Sequence, residues 1–243
     1  MTETNSEWQT DQLARTYLDG VRGAIPFAQQ QLDVLLTIVR HWLPRLGTVV
    51  DLGCGDGILG RTVLQEHPDA RAWFVDFSPA MLQAARDAQP DAARATFVLA
   101  DLAQPDWRDR LSLPGPVDLV LSGFAIHHLA HERKQALYAE IHDLLVPGGL
   151  FLNLEHVASP TPAVEGLFEA HFVDHLYAYH RLNGSQQSRE EVARTYYARQ
   201  DKAENILAPV DEQCDWLRRI GYQDVDCFFK AFELALFGGR RGS

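Results

Sequence analysis

A short apolar run that leads into a turn with three alternating glycines constrains this fold more than any other feature of the sequence. Residues 48–51 have the pattern of a buried strand, and Gly53-Cys-Gly55-Asp-Gly57 follows directly. Glycine lets a backbone turn sharply and approach a ligand, because no β-carbon stands in the way. A strand, a glycine-rich turn and a helix in this order are typical of a nucleotide-binding unit.

The rest of the sequence repeats the alternation of strands and helices. This alternation predicts a parallel sheet with helices on both faces. Near the C-terminus, the apolar stretches 225–230 and 234–237 are joined by only three residues, too few for a helical crossover, and therefore predict an antiparallel hairpin. Four further strands are predicted from the apolar runs at 72–76, 95–99, 117–122 and 150–154, the last after a turn at Pro147-Gly148-Gly149.

Local capping signals mark where several helices begin and end. Ser78 followed by Pro79 predicts an N-cap and a proline in the first helical turn. Ser188 and Glu191 have the spacing of a capping box, in which each side chain bonds a backbone N–H near the helix start. Gly221 is expected to end the helix that precedes the hairpin.

The charge balance argues against nucleic acid as a partner. The chain of 243 residues has 33 acidic and 22 basic side chains, and a net charge of −11 repels phosphodiesters. The three cysteines form no CxxC pair, so neither a disulfide framework nor a thiolate zinc site is expected. No apolar run of about 18 residues occurs and residues 1–7 are polar, so we expect a cytoplasmic protein that does not bind membranes.

The glycine spacing also limits the type of cofactor. The dinucleotide fingerprint is G-x-G-x-x-G, but Ile58 stands where its last glycine is required, which disfavours NAD. Asp51 lies at the end of the first strand, just before the turn. A carboxylate there weakens the binding of a pyrophosphate and favours a cationic cofactor.

The segment 50–57 resembles motif I of the class I S-adenosylmethionine-dependent methyltransferases, and the resemblance extends over roughly residues 20 to 238. It implies a Rossmann-like seven-stranded sheet whose C-terminal hairpin supplies the antiparallel strands. It also implies that the cofactor is S-adenosylmethionine, that S-adenosylhomocysteine is the product, and that Asp76 accepts both ribose hydroxyls. The cofactor-binding residues implied in this way are Arg22, Asp51, Gly53, Gly55, Asp76, Phe77, Met81, Asp101, Leu102 and Ser122.

The same resemblance gives several of these residues specific roles. Asp101 and Leu102 correspond to the pair that reaches the adenine amino group and packs on the ring, although Asp101 also suits an N-cap. Ser122 lies where the family faces the methionine part of the cofactor. Arg22 precedes the core where related enzymes fold a cap across the cofactor, so it is expected to meet the methionyl carboxylate unless this segment is only a tail.

Two adjacent histidines, His127 and His128, follow the fourth predicted strand. Methyl transfer from a sulfonium is an in-line displacement that needs no protein nucleophile. A general base is needed only when the accepting atom carries a proton, and histidine suits that role because its pKa lies near neutrality. We predict that His128 is this base, with His127 beside it. The alternative is a packed or capping histidine at the entrance of the next helix.

The residues before the histidines bear on the acceptor. Family members that methylate exocyclic amines of bases or glutamine carry Asn or Asp, then Pro-Pro and an aromatic residue, at this point. The sequence Phe124-Ala-Ile126 departs from that pattern. The departure disfavours N-methylation of nucleobases or glutamine, and a small-molecule acceptor is expected instead.

The segment 156–208 is predicted to be an irregular helical lid that shapes the acceptor pocket. His171 and His175 share a helical face, and Glu155 at a strand end could oppose them in a two-histidine, one-carboxylate metal site. Histidines four apart arise easily in a chain with 10 of them, so polar-pocket or solvated histidines are expected rather than metal ligands. The predicted substrate-binding residues are Glu155, His171, His175, Arg181 and Tyr196.

Four segments are thus predicted along the chain: an N-terminal cap with the first helix (1–46), a cofactor-binding core (47–155), a lid (156–208), and a last helix with the hairpin (209–243). The predicted activity is methyl transfer from S-adenosylmethionine to an oxygen, nitrogen or carbon atom of a small molecule. Three alternatives are compatible with the same motifs: transfer of a group other than methyl from the sulfonium, metal-assisted chemistry, and a non-catalytic cofactor-binding or interaction module.

Overall fold

Seven strands of one sheet organise the computed structural model, which describes residues 24–199, 202 and 204–242. The strand order is β3-β2-β1-β4-β5-β7-β6. The first five strands run parallel to one another, and β7 is antiparallel to both β5 and β6, as the sequence predicts. The strands are β1 (Thr48–Leu52), β2 (Arg71–Asp76), β3 (Ala95–Leu99), β4 (Val117–Gly123), β5 (Leu145–His156), β6 (Tyr222–Ala231) and β7 (Leu234–Arg241).

Seven α-helices occur in the part of the chain that the structure describes. The predicted local signals act at their ends: the Ser78 hydroxyl accepts a bond from the Met81 N–H, Ser188 and Glu191 form the capping box, and Gly221 ends its helix with φ 115°. The helices are α1 (Ala28–Trp42), α2 (Ile58–Glu66), α3 (Pro79–Ala88), α4 (His131–Leu144), α5 (Pro162–Leu182), α6 (Arg189–Tyr197) and α7 (Val210–Ile220).

Both faces of the sheet are covered by helices. On β1, Val50 and Leu52 belong to the core on one face, whereas Val49 belongs to the core on the other. The first core includes Tyr138 of α4, and the second includes Leu35 of α1. Because successive side chains of a strand point to opposite faces, a sheet buried on both sides needs apolar residues on both faces of its strands, and Val49, Val50 and Leu52 of β1 provide them.

Two strand boundaries differ from prediction. β5 begins at Leu145 rather than 150, because the predicted turn at 147–149 is an irregularity inside the strand: the register against β4 shifts between Val117 and Leu119. Gly148, with φ 80°, provides the irregular backbone. The hairpin is also longer than its apolar stretches, because backbone pairing of β6 with β7 continues to Tyr222 and Arg241.

A third, smaller core lies between α5, α6 and the start of β7. Its buried members are Phe168, Phe172, Val173, Tyr196 and Leu234. Ile25 and Phe124 pack against it from the side. The helices α5 and α6, within 156–208, therefore pack against side chains at the edge of the sheet. No helix among the described residues is both long enough and apolar enough to cross a membrane.

Candidate active site

A cleft of about 820 Å³ opens at the carboxyl ends of the parallel strands. β1 lies between β2 and β4 in the sheet, so its loop and the loop after β4 leave in opposite directions. In open α/β sheets such a switch point forms the ligand-binding crevice. The volume falls within the range of about 300–1,000 Å³ that is usual for small-ligand sites.

The cleft has two sides that differ in origin. We call the residues from the loops after β1, β2 and β3 the β1–β3 side; it includes Asp51, Gly53, Gly55, Asp76, Phe77, Met81, Asp101 and Leu102. We call the remaining wall the β4–β5 side; it includes Ile25, Gln31, Leu32, Phe124, His128, Leu129, Leu154 and Glu204.

The glycine turn brings the backbone close to the opposite wall. Gly53 has φ 61° and Gly55 has φ 56°, in the left-handed region that favours glycine. A β-carbon added at Gly53 would lie 2.2 Å from the Cβ of Ala125, whereas one added at Gly55 would meet nothing within 4 Å. Only glycine fits at position 53, because both the backbone conformation and the neighbouring turn exclude a side chain.

Asp51 lies at the floor of the cleft, just before this turn. Asp51 is almost fully buried, and its Oδ2 accepts a hydrogen bond from the Gly60 N–H at 2.9 Å. Gly60 belongs to the first turn of α2, where the helix dipole favours a negative charge. Asp51 therefore holds the glycine turn against α2 and gives the floor of the cleft a carboxylate.

Asp76 ends β2 beside the glycine turn. Its Oδ2 accepts from the Gly55 N–H and its Oδ1 from the Ser78 N–H, both at 2.9 Å. Burial raises the pKa of Asp76 to about 6, although backbone bonds from Ser78, Gly55 and Phe77 act in the opposite direction. An ionised carboxylate has about four acceptor positions, so it retains capacity for hydroxyl donors from the cleft.

Asp101 and Leu102 follow β3 on the same side of the cleft. The Asp101 Oδ1 accepts from the Ala103 N–H at 2.9 Å, which is the short-range contact of a turn. Leu102 is buried, and its carbonyl oxygen accepts from Arg133 Nε at 2.8 Å. The structure thus brings eight predicted cofactor residues to one side: Asp51, Gly53, Gly55, Asp76, Phe77, Met81, Asp101 and Leu102.

Two predicted cofactor residues are not part of this wall. Ser122 does not line the cleft. It is fully buried, and its hydroxyl donates to the Leu52 carbonyl oxygen at 2.9 Å. It links β4 to β1 below the surface of the cleft. Arg22 lies outside the described residues.

The two adjacent histidines point in different directions. They belong to the short 3₁₀ turn Ile126–His128, which follows β4. His128 lines the cleft, and its Nδ1 lies 3.4 Å from the carbonyl oxygen of Glu204. His127 is 7% exposed, does not line the cleft, and has its Nδ1 2.5 Å from Glu155 Oε1. His128 can therefore meet a bound molecule, whereas His127 faces the protein interior.

Glu155 is fully buried at the end of β5. Burial alone would oppose its ionisation, but the charge of His127, hydrogen bonds from His127 and the His156 N–H, and the charge of Lys134 outweigh it, so the pKa of Glu155 lies below its usual range. Glu155 is therefore an ionised partner of His127 and has no surface on the cleft.

The other predicted substrate residues also lie outside the cleft. Tyr196 is buried in the third core with its ring stacked on Phe172 at 5.3 Å, and Arg181 is exposed. The rings of His171 and His175 are 6.5 Å apart on α5. The structure does not bring these histidines together with Glu155, and within the described ranges no group of three or more His, Cys, Asp or Glu residues could hold a metal ion.

Several residues of the β4–β5 side are not predicted from the sequence. Gln31 is buried on the face of α1 that also buries Leu35 and Val39, and its Nε2 donates to the Pro26 carbonyl oxygen at 3.1 Å. A polar residue on a buried helical face is a signal that periodicity could have revealed. Phe124 has φ 52°, a conformation that its sequence context does not predict. The position of Glu204 on the wall of the cleft is not predicted from the sequence either.

Comparisons with known proteins agree with this geometry. Residues 50–151 match a family model described as a methyltransferase domain. A carboxy-S-adenosyl-L-methionine synthase of Nautilia profundicola is 21% identical over 230 residues, which cover 93% of this chain and 91% of that protein. A ribosomal RNA large subunit methyltransferase G of Streptomyces griseus is 38% identical over 122 residues, which cover 46% of this chain and 30% of that protein.

A solved structure shows the same architecture. Human N-acetylserotonin methyltransferase in complex with SAM resembles this chain with a TM-score of 0.61 and 16% sequence identity. The likeness covers 97% of this chain but only 58% of that chain. This chain thus spans little more than half the length of that solved structure, and the likeness concerns the fold.

Proposed function

We propose that the chain is a class I S-adenosylmethionine-dependent methyltransferase, which is supported by the match of residues 50–151 to a methyltransferase-domain model. It transfers the methyl group to a small, uncharged or cationic acceptor bound on the β4–β5 side of the cleft. Bound on the β1–β3 side, S-adenosylmethionine supplies an electrophilic methyl group on a sulfonium. The observation that carries the proposal is the chemical difference between the two sides of the cleft.

The β1–β3 side fits the cofactor by its own chemistry. Asp76 is a buried carboxylate that has acceptor positions left after its backbone bonds, as a ribose diol requires. Asp51 places negative charge at the floor, which favours a cationic sulfonium or ammonium group. Phe77 and Met81 add apolar surface for a purine ring. We assign cofactor binding to this side as a whole.

The β4–β5 side is mainly apolar. Ile25, Leu32 and Phe124 contribute hydrocarbon and aromatic surface, and Leu129 and Leu154 extend it. Such a wall excludes water and holds an acceptor close to the transferred group, which is most of what an in-line displacement asks of a protein. His128 is the imidazole on this side, so we assign it the removal of a proton from the accepting atom.

The charge of the cleft favours acceptors without phosphate or carboxylate groups. The lining includes the carboxylates of Asp51, Asp76, Asp101 and Glu204, and among the described lining residues there is no lysine or arginine. RNA recognition depends on basic side chains that meet the phosphates. The resemblance to a ribosomal RNA methyltransferase, which covers 46% of this chain, is therefore assigned to the cofactor-binding core rather than to the acceptor.

One comparison supports a second candidate function, the synthesis of a carboxylated cofactor. The carboxy-S-adenosyl-L-methionine synthase matches 93% of this chain, far more than the core alone. Its named product carries an added carboxylate, and the described cleft offers no lysine or arginine to pair with one. On this ground we favour methyl transfer, and the two reactions differ in the mass of the modified product.

Two measurements test the proposal. Calorimetry should detect binding of S-adenosylmethionine and S-adenosylhomocysteine, and incubation with a metabolite extract and methyl-labelled S-adenosylmethionine should yield a labelled small molecule with stoichiometric S-adenosylhomocysteine. Label in RNA, or a cofactor with the added mass of a carboxylate, would replace the proposed acceptor. Absence of heat with both cofactor forms would remove the proposal altogether.

A further inference from the structure

A buried polar assembly lies directly behind the β4–β5 side of the cleft. It contains two histidine–carboxylate pairs, His127–Glu155 and His156–Glu233. The rings of His127 and His156 are 5.8 Å apart, and the carboxylates are 0% and 4% exposed. Carboxylates so deeply buried are costly to desolvate, which makes a positioning role worth testing.

The His127–Glu155 pair connects to the wall of the cleft through the backbone. The carbonyl oxygen of His127 accepts a hydrogen bond from the Ile206 N–H at 2.8 Å. The carbonyl oxygen of Ile206 accepts from Nζ of Lys134, a lysine that is only 1% exposed. Ile206 is thereby held through both of its peptide groups, two residues beyond Glu204, which lines the cleft.

The same pair also contacts the base that the proposed function assigns. The ring of His127 lies with its centroid 4.0 Å from that of His128. His128 Nδ1 lies 3.4 Å from the carbonyl oxygen of Glu204. A side chain that fixes the ring of His127 therefore acts on two polar residues of the β4–β5 side, His128 through the ring contact and Glu204 through the segment that bonds the His127 carbonyl.

Resting on the proposed function, we infer that Glu155 is a positioning residue, which through His127 holds His128 and the segment 204–206 in place to form the acceptor wall. Glu155 is suited to this role because three donors fix its orientation. Its Oε1 accepts from His127 and from the His156 N–H at 2.8 Å, and its Oε2 accepts from Asn153 Nδ2 at 3.4 Å. Such fixation pre-organises a wall that would otherwise move with its loop.

The neighbouring pair provides a matched control. His156 Nε2 lies 2.7 Å from Glu233 Oε2, so the chemistry is that of His127–Glu155, although the His156 side chain is more exposed than that of His127. Neither residue lines the cleft. Glu233→Gln removes a buried carboxylate charge from a histidine pair, as Glu155→Gln does, but leaves the bond between Glu155 and His127 in place.

The test compares these two variants with the unsubstituted protein by amide hydrogen exchange at Ile206 and by calorimetry with S-adenosylhomocysteine. We expect Glu155→Gln to accelerate exchange of the Ile206 amide about tenfold or more and to leave cofactor affinity within twofold. Label transfer from methyl-labelled S-adenosylmethionine into the metabolite extract should fall about tenfold. Glu233→Gln should change neither the exchange nor the transfer by more than twofold.

Several outcomes would overturn the inference. The His127–Glu155 pair would be only a general structural contact under any of three results. These are Ile206 exchange at the wild-type rate in Glu155→Gln, equal acceleration in Glu233→Gln, and unchanged label transfer despite accelerated exchange. If Glu155→Gln does not fold, His127→Gln removes the ring through which Glu155 acts and should give the same exchange signature. If the wild-type protein binds no cofactor or transfers no label, the proposed function fails, while the exchange comparison still decides the role of Glu155.

Discussion

The two sides of the cleft are built in different ways. On the β1–β3 side the main contacts join backbone to a nearby carboxylate, as when Asp76 accepts from the N–H groups of Gly55 and Ser78. On the β4–β5 side they join side chains and loops to one another, as when His127 meets Glu155 and Ile206. The first side therefore depends mainly on a backbone conformation, whereas the second depends on side-chain packing and loop contacts.

The largest expected effect is that of a side chain at Gly53. Gly53→Val should abolish detectable binding of S-adenosylhomocysteine, because a β-carbon would lie 2.2 Å from that of Ala125 and φ is 61°. Calorimetry measures the loss. Gly55→Ala is the control: it imposes left-handed strain of about 1–2 kcal/mol but meets no atom within 4 Å, so it should retain measurable binding. Equal loss in both variants would show that strain rather than contact sets the limit.

The next effect is on rate and concerns the other side of the cleft. His128→Ala should lower the rate of methyl transfer about 10²-fold or more, the usual contribution of a general base, with little change in cofactor affinity. The measurements are label transfer at saturating S-adenosylmethionine and calorimetry. His41→Ala, at an exposed position on α1, should change neither value. A parallel loss of rate and cofactor affinity would contradict the separation of the two sides.

Asp76 is expected to contribute less, but on binding alone. Asp76→Ala should weaken the binding of S-adenosylhomocysteine by about 1.5–3 kcal/mol, the range for hydrogen bonds to a charged group. Calorimetry at pH 8, where the native carboxylate is ionised, gives the cleanest comparison. Unchanged affinity would remove Asp76 from the cofactor site.

The smallest expected effect is a pH dependence that arises from Asp76. Cofactor affinity and the stability of the folded protein should change in opposite directions with pH. The pKa of Asp76 is raised to about 6, so cofactor affinity should fall as the pH drops through 6 and the carboxylate becomes protonated. In the ligand-free protein, the folded chain binds more protons at Asp76 than the unfolded chain between pH about 4 and 6. The contribution of Asp76 to stability therefore falls as the pH rises through this window.

Calorimetry and thermal unfolding at pH 5, 6, 7 and 8 check both signs. In Asp76→Ala the binding slope near pH 6 should disappear, and the stability difference from wild type should change in the direction just given. A wild-type affinity that is flat between pH 5 and 8 would show that this carboxylate remains ionised throughout.

The sequence could predict most of the fold because its signals are local. Apolar runs that alternate with helical segments predict the parallel strands, and a linker of only three residues, 231–233, predicts the hairpin. Likewise, the residues that form the β1–β3 side follow the ends of β1, β2 and β3, where parallel strands bring them to one edge. The cofactor roles of these residues, and the division of the chain into cap, core and lid, stay predictions.

The β4–β5 side could not be predicted in the same way. The partners of His127 are Glu155 and Ile206, far along the chain, and no periodicity relates them. Two histidines next to each other in sequence look equivalent, yet only tertiary packing turns His127 inward and His128 outward. The residues predicted for substrate in α5 and α6, such as Tyr196, instead form a core between their own helices, because aromatic side chains at helical spacing pack together first.

The position of β7 has a consequence for biosynthesis. This strand lies between β5 and β6, although it follows both in the sequence. While the polypeptide leaves the ribosome, the backbone edge of β5 therefore waits unpaired until residues 234–241 emerge. An unpaired apolar strand edge invites association with other nascent chains, so delayed synthesis of β7, or crowding, should reduce the yield of folded protein.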